Sequence, residues 1–276
     1  MIQFEKFHGT GNDFIIFNGL KDKLPKYTDL AKSVCDRNYG IGADGMLVVE
    51  SSNVAKIKMV FYNADGTEAP MCGNGLRCFS KYIYDNGIIK DKKFTVETLG
   101  GIMEAQVKLI KKRVKYVRIN LGKPKYDTNS LPINTEKKSF INEEIKIDNI
   151  RYKMSTLFIG TIHTIVKVDD LERFPICEIG RKIENMSIFP KGTNVNFYEL
   201  IDKDNLKVIT WERGVGQTLS CGTGAAATGV ISQILNGTNK KINIHMLGGK
   251  LEIEIIDKNI YLTGPVNFIC KGYFNY

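Results

Sequence analysis

Short stretches of apolar residues, either continuous or alternating with polar ones, recur along the whole chain and predict β-strands. In the first half these predicted strands are IQFEKF, FIIFN, MLVVE, KIKMVFY, KFTVET and KYVRINL. In the second half they are TLFIGTIHTIVKV, NVNFYEL, LKVITWE, KINIHML, KLEIEII and IYLTG. Two other segments, about 74–85 and 223–235, carry apolar residues on several faces and predict largely buried helices. Many strands around one buried helix, in each half, predict an α+β protein.

The two halves of the chain repeat one another at a constant separation. NADGTEAPMCGNG, which contains Cys72, aligns with ERGVGQTLSCGTG, which contains Cys221 and lies 149 residues later. GNDF lies 149 residues before GTIH, and TLGGIME aligns with MLGGKLE at almost the same separation. We therefore expect two homologous domains, 1–122 and 123–264, with the tail 265–276 returning to the first.

Composition is that of an ordinary globular protein. Of 276 residues, 43% are hydrophobic and 25% are charged, and no apolar run approaches the roughly 20 residues that cross a bilayer. The start of the chain lacks the basic and apolar segments of a secretion signal, so we expect a cytoplasmic protein. The net charge of +9 comes largely from short lysine runs beside strand-like segments, which we interpret as a solvated surface. No nucleic-acid or membrane partner is expected.

The six cysteines are expected to be free thiols, because the cytosol disfavours disulfides. They form no C-x-x-C pair and the chain has only three histidines, so no metal site is expected. Four cysteines stand alone and are expected to be small buried hydrophobic residues: Cys35, Cys78, Cys177 and Cys270. Cys72 and Cys221 differ from these four, because each precedes G-x-G at the start of a predicted helix.

A cysteine at a helix N-terminus meets unpaired backbone N–H groups and the positive end of the helix dipole, and both favour the thiolate. The same N–H groups can hold a carboxylate. If the two halves face each other, the carbon beside such a carboxylate would lie between Cys72 and Cys221. One thiolate would remove a proton from that carbon while the opposite thiol returns one to the other face, which is racemisation by two acid–base groups. The non-enzymatic alternative is an anion-binding or thiol redox protein in which these two cysteines form a reversible disulfide.

Five motifs give the chain a resemblance to the diaminopimelate epimerases along nearly its whole length: FHGTGNDF (7–14), RNYGIGADG (37–45), NADGTEAPMCGNGLRC (63–78), NVNF (194–197) and WERGVGQTLSCGTGAAA (211–227). The resemblance implies an isomerase, independent of any cofactor, that interconverts L,L- and meso-diaminopimelate on the route to lysine and peptidoglycan precursors. It also implies two pseudo-symmetric domains, each a strongly curved, mostly antiparallel sheet around a central helix, with the active site in the cleft between them. We expect a monomer or homodimer that binds a small amino-acid substrate.

The resemblance further implies roles for individual residues. Cys72 and Cys221 match the paired acid–base cysteines. Residues matched to the reacting centre supply backbone donors and a histidine: Gly73, Asn74, Gly222, Thr223 and His163. Asn12 matches an asparagine that contacts the substrate. Residues matched to the distant end of the substrate supply amides, a hydroxyl, a carboxylate and a guanidinium: Asn63, Asn194, Thr161, Glu212 and Arg213. Three of these roles have structural alternatives, namely a turn residue at Asn63, a packed histidine at His163 and an ion pair between Glu212 and Arg213.

The sequence departs from the family pattern at three positions, one of which is matched to the distant end of the substrate. The family usually has G-N-P-H where this chain has GTIH, so Thr161 replaces an asparagine and Ile162 replaces a proline. Gln217 stands where the family usually has a glutamate. The Thr161 change replaces an amide with a shorter hydroxyl. The alternative function is therefore a racemase of the same fold that acts on another amino acid, such as histidine or a lanthionine-like diamino diacid.

Overall fold

The computed structural model describes residues 1–276. The chain divides into two compact units, one formed by Met1–Asn120 with Thr263–Tyr276 and the other by Leu121–Leu262. Each unit has its own strands and helices. No helix in the structure combines the length and apolar character that crossing a membrane requires.

Seven strands of the first unit lie side by side in chain order. They are β1 (Ile2–Gly9), β2 (Asn12–Asn18), β3 (Gly45–Glu50), β4 (Ile57–Asn63), β5 (Lys93–Thr98), β6 (Gly101–Ile110) and β7 (Arg113–Asn120). Strand β2 is parallel to β3 and β4 is parallel to β5, whereas the other neighbouring pairs are antiparallel. Parallel neighbours need a crossover connection, and the helices α1 (Tyr27–Cys35) and α2 (Gly73–Asp85) lie in these two connections.

The second unit repeats this order of elements and adds two strands, one before the repeat begins and one just before its second helix. Its strands are β8 (Phe140–Ile147), β9 (Ile150–Ile159), β10 (Thr161–Lys167), β11 (Asn194–Leu200), β12 (Asn205–Glu212), β13 (Gly216–Thr218), β14 (Lys241–Met246), β15 (Gly249–Ile256) and β16 (Asn259–Pro265). Here β10 is parallel to β11 and β12 to β14, and helices α3 (Ile176–Glu184) and α4 (Gly222–Asn236) lie in those connections. A single 3-10 turn occupies Thr128–Ser130. This arrangement confirms the predicted α+β class and internal repeat.

Helices α2 and α4 are buried elements, as predicted. Residues 73–83 of α2 are all buried, and the helix packs on β1, β2, β6 and β7 of its own sheet. Helix α4 packs in the same way on β9, β10, β11 and β15. The start of each buried helix is therefore fixed by the sheet around it.

The tail of the chain forms one more strand, β17 (Asn267–Phe274), which pairs antiparallel with β1 from Ile2 opposite Phe274 to His8 opposite Asn267. Residues 263–276 belong to the first unit by their contacts. This strand closes the order of the first sheet on the side of β1 away from β2.

Two details differ from the sequence-based prediction. TLFIGTIHTIVKV is not one strand but two, β9 and β10, which form an antiparallel hairpin with Ile159 opposite Thr161. Gly160 makes this reversal possible, because its φ of 69° lies in the left-handed region that glycine adopts without strain. Helices α1 and α3 were not predicted, since they are short and begin after Lys26 and Pro175, neither of which provides a side-chain cap.

Candidate active site

Cys72 and Cys221 are the N-cap residues of α2 and α4 and have nearly the same conformation. Cys72 has φ −134° and ψ 123°, and Cys221 has φ −125° and ψ 112°. The Sγ of Cys72 accepts a hydrogen bond from the backbone N–H of Gly75 at 3.5 Å, and that of Cys221 accepts one from Gly224 at 3.4 Å. Each sulfur takes the place of the oxygen that normally caps a helix. Both therefore lie at the positive end of a helix dipole, where the thiolate is favoured.

The predicted backbone donors occupy the first turns of these helices. Gly73 and Asn74 open α2, and Gly222 and Thr223 open α4. The first four N–H groups of a helix have no carbonyl partner within it, so such a turn is suited to bind a carboxylate. The Thr223 hydroxyl also lies 3.5 Å from the Cys221 Sγ. The structure thus brings the predicted donors of each half together with that half's cysteine.

Asn12, the first residue of β2, contacts the Cys72 cap. Its Oδ1 accepts from the Cys72 thiol at 3.7 Å and from the Asn74 Nδ2 at 3.2 Å. Its Nδ2 donates to Asp44 Oδ2 at 2.6 Å, which fixes the orientation of the amide. The structure thus places Asn12 beside the Cys72 cap, and its predicted contact with a substrate stays a prediction.

Behind Asn12 lies an ion cluster that the sequence analysis did not single out. Asp13 pairs with Lys6 and Arg37, each at 2.9 Å, and Arg37 also pairs with Asp44 at 2.8 Å. Burial alone would raise the pKa of Asp13, but hydrogen bonds from Arg37 and Lys6 outweigh it, and the pKa is lowered. Asp13 and Asp44 lie in the FHGTGNDF and RNYGIGADG motifs, so the sequence marks both segments as important. It does not indicate the ion pairs that join them.

His163 lies fully buried on β10 within the second unit. Its Nδ1 is 3.2 Å from the Nδ2 of Asn196, and its Nε2 has no hydrogen-bond partner. Burial, and then the positive charge of Arg213, lower the pKa of His163 to about 3. The ring is therefore neutral at physiological pH.

The hydrogen bonds of Asn196 determine which nitrogen of that ring carries the proton. Asn196 Nδ2 donates to the Thr164 carbonyl at 3.4 Å, and its Oδ1 accepts from the Thr210 hydroxyl at 2.9 Å. The amide nitrogen therefore faces the histidine, and His163 Nδ1 acts as the acceptor. The proton is left on Nε2, which makes this atom a buried donor. Sequence analysis missed Asn196, although it is part of the NVNF motif.

Asn196 also lies directly against the Cys221 cap. A Cβ placed on Gly224 would be 2.1 Å from Asn196 Oδ1, so the side chain occupies the space that glycine leaves open. Gly224 is the residue whose N–H binds the Cys221 sulfur. The packing thus connects the cap, Asn196 and His163 in one buried cluster.

Asn194 and Arg213, two residues predicted to bind the distant end of the substrate, contact each other. Asn194 Oδ1 accepts from the Arg213 backbone N–H at 3.0 Å, and its Nδ2 donates to the Ile162 carbonyl at 2.9 Å. The guanidinium of Arg213 donates to the Lys191 carbonyl at 2.9 Å and is otherwise exposed. Asn194 therefore holds the backbone that carries Arg213.

The remaining residues predicted for that end have separate surroundings. Glu212 accepts a hydrogen bond from the Thr218 hydroxyl at 2.6 Å. Asn63 Nδ2 donates to the Thr67 hydroxyl at 3.0 Å in the turn after β4, as the turn interpretation predicts. Thr161 is half-buried at the start of β10. Their roles toward a substrate stay predictions.

The other four cysteines divide into two classes. Cys35 and Cys78 are buried, as expected, and burial raises the pKa of each thiol, that of Cys35 to about 12. Cys177 and Cys270 are exposed, so the prediction that they are buried was wrong. Cys270 lies on β17, whose side chains are mostly exposed, and Cys177 lies on the open face of α3. No group of three or more His, Cys, Asp or Glu side chains is arranged to hold a metal ion.

The fold and the two caps together define a class of protein: a duplicated α+β chain in which each half presents a cysteine at the start of its buried helix. A family model described as diaminopimelate epimerase matches residues 4–126 and 155–269. A diaminopimelate epimerase from Caldanaerobacter subterraneus subsp. tengcongensis is 45% identical over 272 residues, 98% of this chain and 98% of the relative. One from Alkaliphilus metalliredigens is 44% identical over 277 residues, 99% of this chain and 97% of the relative. The chain belongs to the diaminopimelate epimerase family.

The fold is also similar to that of a solved structure of a probable proline racemase from Agrobacterium radiobacter. The two superpose with a TM-score of 0.73 and 13% sequence identity, over 100% of this chain and 93% of the other. At that identity the likeness shows a shared fold alone.

Proposed function

We propose that this protein is a diaminopimelate epimerase, an isomerase that interconverts L,L- and meso-diaminopimelate. Its family membership and its identity of 45% to a diaminopimelate epimerase over nearly the whole chain support the substrate. The observation that carries the chemistry is the matched pair of cysteine N-caps on α2 and α4. The reaction serves the synthesis of lysine and of peptidoglycan precursors.

In the proposed reaction, the substrate carboxylate beside the reacting carbon binds backbone N–H groups in the first turns of both helices. The thiolate of one cysteine takes the Cα proton and becomes a thiol, while the electron pair left on carbon delocalises into the carboxylate. The thiol of the other cysteine gives its proton to the opposite face and becomes a thiolate. One proton leaves and one arrives, so the substrate is inverted without oxidation and without a cofactor.

Two neutral side chains assist this chemistry in our proposal. Asn12 holds the Cys72 thiol through its Oδ1, which orients the sulfur when it is protonated. His163 contributes the N–H at Nε2 as a hydrogen-bond donor, because Asn196 keeps its Nδ1 as an acceptor. A neutral donor stabilises negative charge that develops on the carboxylate without competing for the Cα proton.

The distant amino and carboxyl groups of the substrate are assigned to a second set of residues. The guanidinium of Arg213 offers two N–H donors and a positive charge to the distant carboxylate. Asn194 positions Arg213 through the hydrogen bond that it accepts from the Arg213 backbone. Glu212 is assigned to the distant ammonium group. Asn63 and Thr161 complete the set, with Thr161 offering a hydroxyl where the family pattern has an amide.

We also propose that the protein works in the cytoplasm, as a monomer or a homodimer. The class of reaction, which serves the synthesis of lysine and of peptidoglycan precursors, supports this location. Measurement of the mass in solution by light scattering would decide between the two oligomeric states.

The test is epimerisation of L,L-diaminopimelate in D2O by the reduced protein without pyridoxal phosphate, followed by NMR. We expect formation of the meso product with deuterium at Cα. Cys72→Ser and Cys221→Ser should each lower the rate at least about 100-fold, because a serine hydroxyl is a much weaker acid than a thiol and is not deprotonated near neutral pH, so it cannot replace the thiolate base or the thiol acid. Cys177→Ser is the matched control, since it changes an exposed thiol of the second unit and should leave the rate unchanged.

Thr161 motivates one alternative outcome. If L,L-diaminopimelate shows no exchange while histidine or lanthionine does, and the two cysteine variants abolish that exchange, the two-thiol chemistry stands and the substrate assignment is wrong. Full activity of either Cys72→Ser or Cys221→Ser would contradict the two-thiol chemistry itself.

A further inference from the structure

Arg77, on the second turn of α2, is a buried cation that the proposed reaction does not use. Its side chain is fully buried, with 0% exposure. The Nη1 atom donates to the Gly73 carbonyl at 3.3 Å and Nη2 donates to the Thr10 hydroxyl at 3.2 Å, while Nε has no partner. A Cβ on Gly9 would approach Nη2 to 3.0 Å, so the chain leaves little spare room around the guanidinium.

No carboxylate compensates this charge. Neither hydrogen bond of Arg77 goes to an acid, and the titratable groups that act on it are Cys78 and Cys72. Burial lowers the pKa of Arg77, but a guanidinium starts so high that it stays charged. Burial also raises the pKa of the Cys78 thiol far above its usual range, so Cys78 stays neutral. Cys72 is therefore the group that can carry the opposite charge.

The other charges near the Cys72 cap already have partners. Lys6 and Arg37 pair with Asp13, and Arg37 also pairs with Asp44, so this cluster holds two positive and two negative groups. On α2 itself, Lys81 pairs with Asp85 at 2.6 Å. The charge of Arg77 thus remains uncompensated within the first unit, and a buried charge without a partner is costly.

We propose that Arg77 is a positioning residue whose buried charge keeps Cys72 in the thiolate form between turnovers. The role rests on the proposed function, because a resting thiolate is useful only if Cys72 is a base. Arg77 acts from behind the first turn of α2, where it also holds the Gly73 carbonyl and with it the turn assigned to the substrate carboxylate. Its charge adds to the helix dipole that already favours the thiolate.

Helix α4 has no arginine at the matching position. Arg77 is five residues after Cys72, and the residue five after Cys221 is the buried Ala226. The ring nearest that cap, His163, is neutral. The two caps share a backbone conformation, but the arginine behind the first turn occurs in α2 and not at the matching position of α4. In the proposal this difference makes Cys72 the resting base and Cys221 the resting acid. Inversion by two bases requires that the two sulfurs differ in protonation before the substrate reacts, because the acid must carry a proton and the base must not.

The test is the pH dependence of iodoacetamide alkylation at each cysteine of the full chain, resolved by peptide mass spectrometry. The exposed Cys270 of the same unit is the internal reference. In the unmodified chain, Cys72 should react with a midpoint at least about one pH unit below that of Cys221. Arg77→Met should raise the Cys72 midpoint by about one to two pH units, whereas Arg77→Lys should raise it by less than half as much.

Lys81→Met is the matched control, since it removes a cation from the same helix that has its own partner, and the Cys72 midpoint should not move. Arg77→Gln serves as a second neutral variant if Arg77→Met does not fold. Equal midpoints for Cys72 and Cys221 in the unmodified chain, or an unchanged Cys72 midpoint in a folded neutral variant, would overturn the proposal. The measurement needs no substrate, so its outcome is separate from the outcome of the epimerisation assay.

Discussion

Gly224 is the position at which a single added methyl group tests the buried cluster behind Cys221. A Cβ there would lie 2.1 Å from Asn196 Oδ1, far inside van der Waals contact, so Asn196 has to move. Movement breaks the hydrogen bond from Thr210 and the one to His163. We therefore predict that Gly224→Ala both destabilises the second unit and removes the tautomeric control of His163.

The size of the expected destabilisation follows from the hydrogen bonds that break and from the buried polar groups that lose a partner. Two buried hydrogen bonds of about 1 kcal/mol each, and the desolvation of partners left without one, cost about 2–4 kcal/mol. Replacing glycine by alanine inside a helix returns about 1 kcal/mol. The net loss should be about 1–3 kcal/mol in the free energy of unfolding, with epimerase activity reduced more than 10-fold.

Gly75→Ala is the matched control, because Gly75 occupies the same place in α2. Its Cβ would lie 3.4 Å from Phe14 and 3.5 Å from Leu47, which is ordinary contact. We expect this variant to be unchanged or stabilised by up to about 1 kcal/mol. Urea unfolding, together with amide hydrogen exchange of α2 and α4, measures both. Equal stability of the two variants would refute the argument from packing.

Three further predictions concern residues around the site. The pKa of His163 is lowered to about 3 in the folded protein, so as the pH falls below about 6.5 the unfolded chain binds a proton at this residue and the folded protein does not. The free energy of unfolding should therefore decline by about 2 kcal/mol between pH 6.5 and 5. Urea unfolding of His163→Gln should lack this part of the decline. Asn196→Asp places an acceptor at His163 Nδ1, so the proton should move from Nε2 to Nδ1 in 15N NMR and activity should fall; an unchanged tautomer would contradict the assignment. Arg213→Lys keeps a charge but loses the fork, so KM for diaminopimelate should rise about 10-fold or more with a smaller change in kcat, and a change confined to kcat would count against its distal role.

The cysteine caps are the part of the site that the sequence predicts best. Cys-Gly-x-Gly before an apolar helix has a local physical meaning, and its repetition after 149 residues links Cys72 to Cys221. The structure places both sulfurs as helix N-caps, although the sequence alone does not give the hydrogen bonds from Gly75 and Gly224. Local motifs thus predict what a short segment does by itself.

Asn196, Arg77 and the Asp13 cluster were not predicted, because their roles depend on contacts between distant segments. The sequence predicts a largely buried helix around Arg77, but the complete burial of its guanidinium becomes evident only from the sheet that surrounds α2. Asn196 gains its role from Thr210 and His163 on the neighbouring strands β12 and β10. Helix α3 was not predicted for a different reason. Its N-cap residue, Pro175, makes no side-chain capping hydrogen bond, so the sequence has no residue there that marks the start of a helix.

The most direct test of the two-thiol mechanism is the distribution of deuterium at early times, when L,L-diaminopimelate reacts with the reduced protein in D2O. A thiol carries a single exchangeable proton, so the sulfur that removes the Cα proton can return only that proton, and the opposite sulfur delivers solvent deuterium. The two-thiol mechanism predicts that the meso product carries deuterium at the inverted carbon while the recovered L,L substrate carries almost none. Product that keeps its original proton, or equal deuterium in substrate and product, would contradict it.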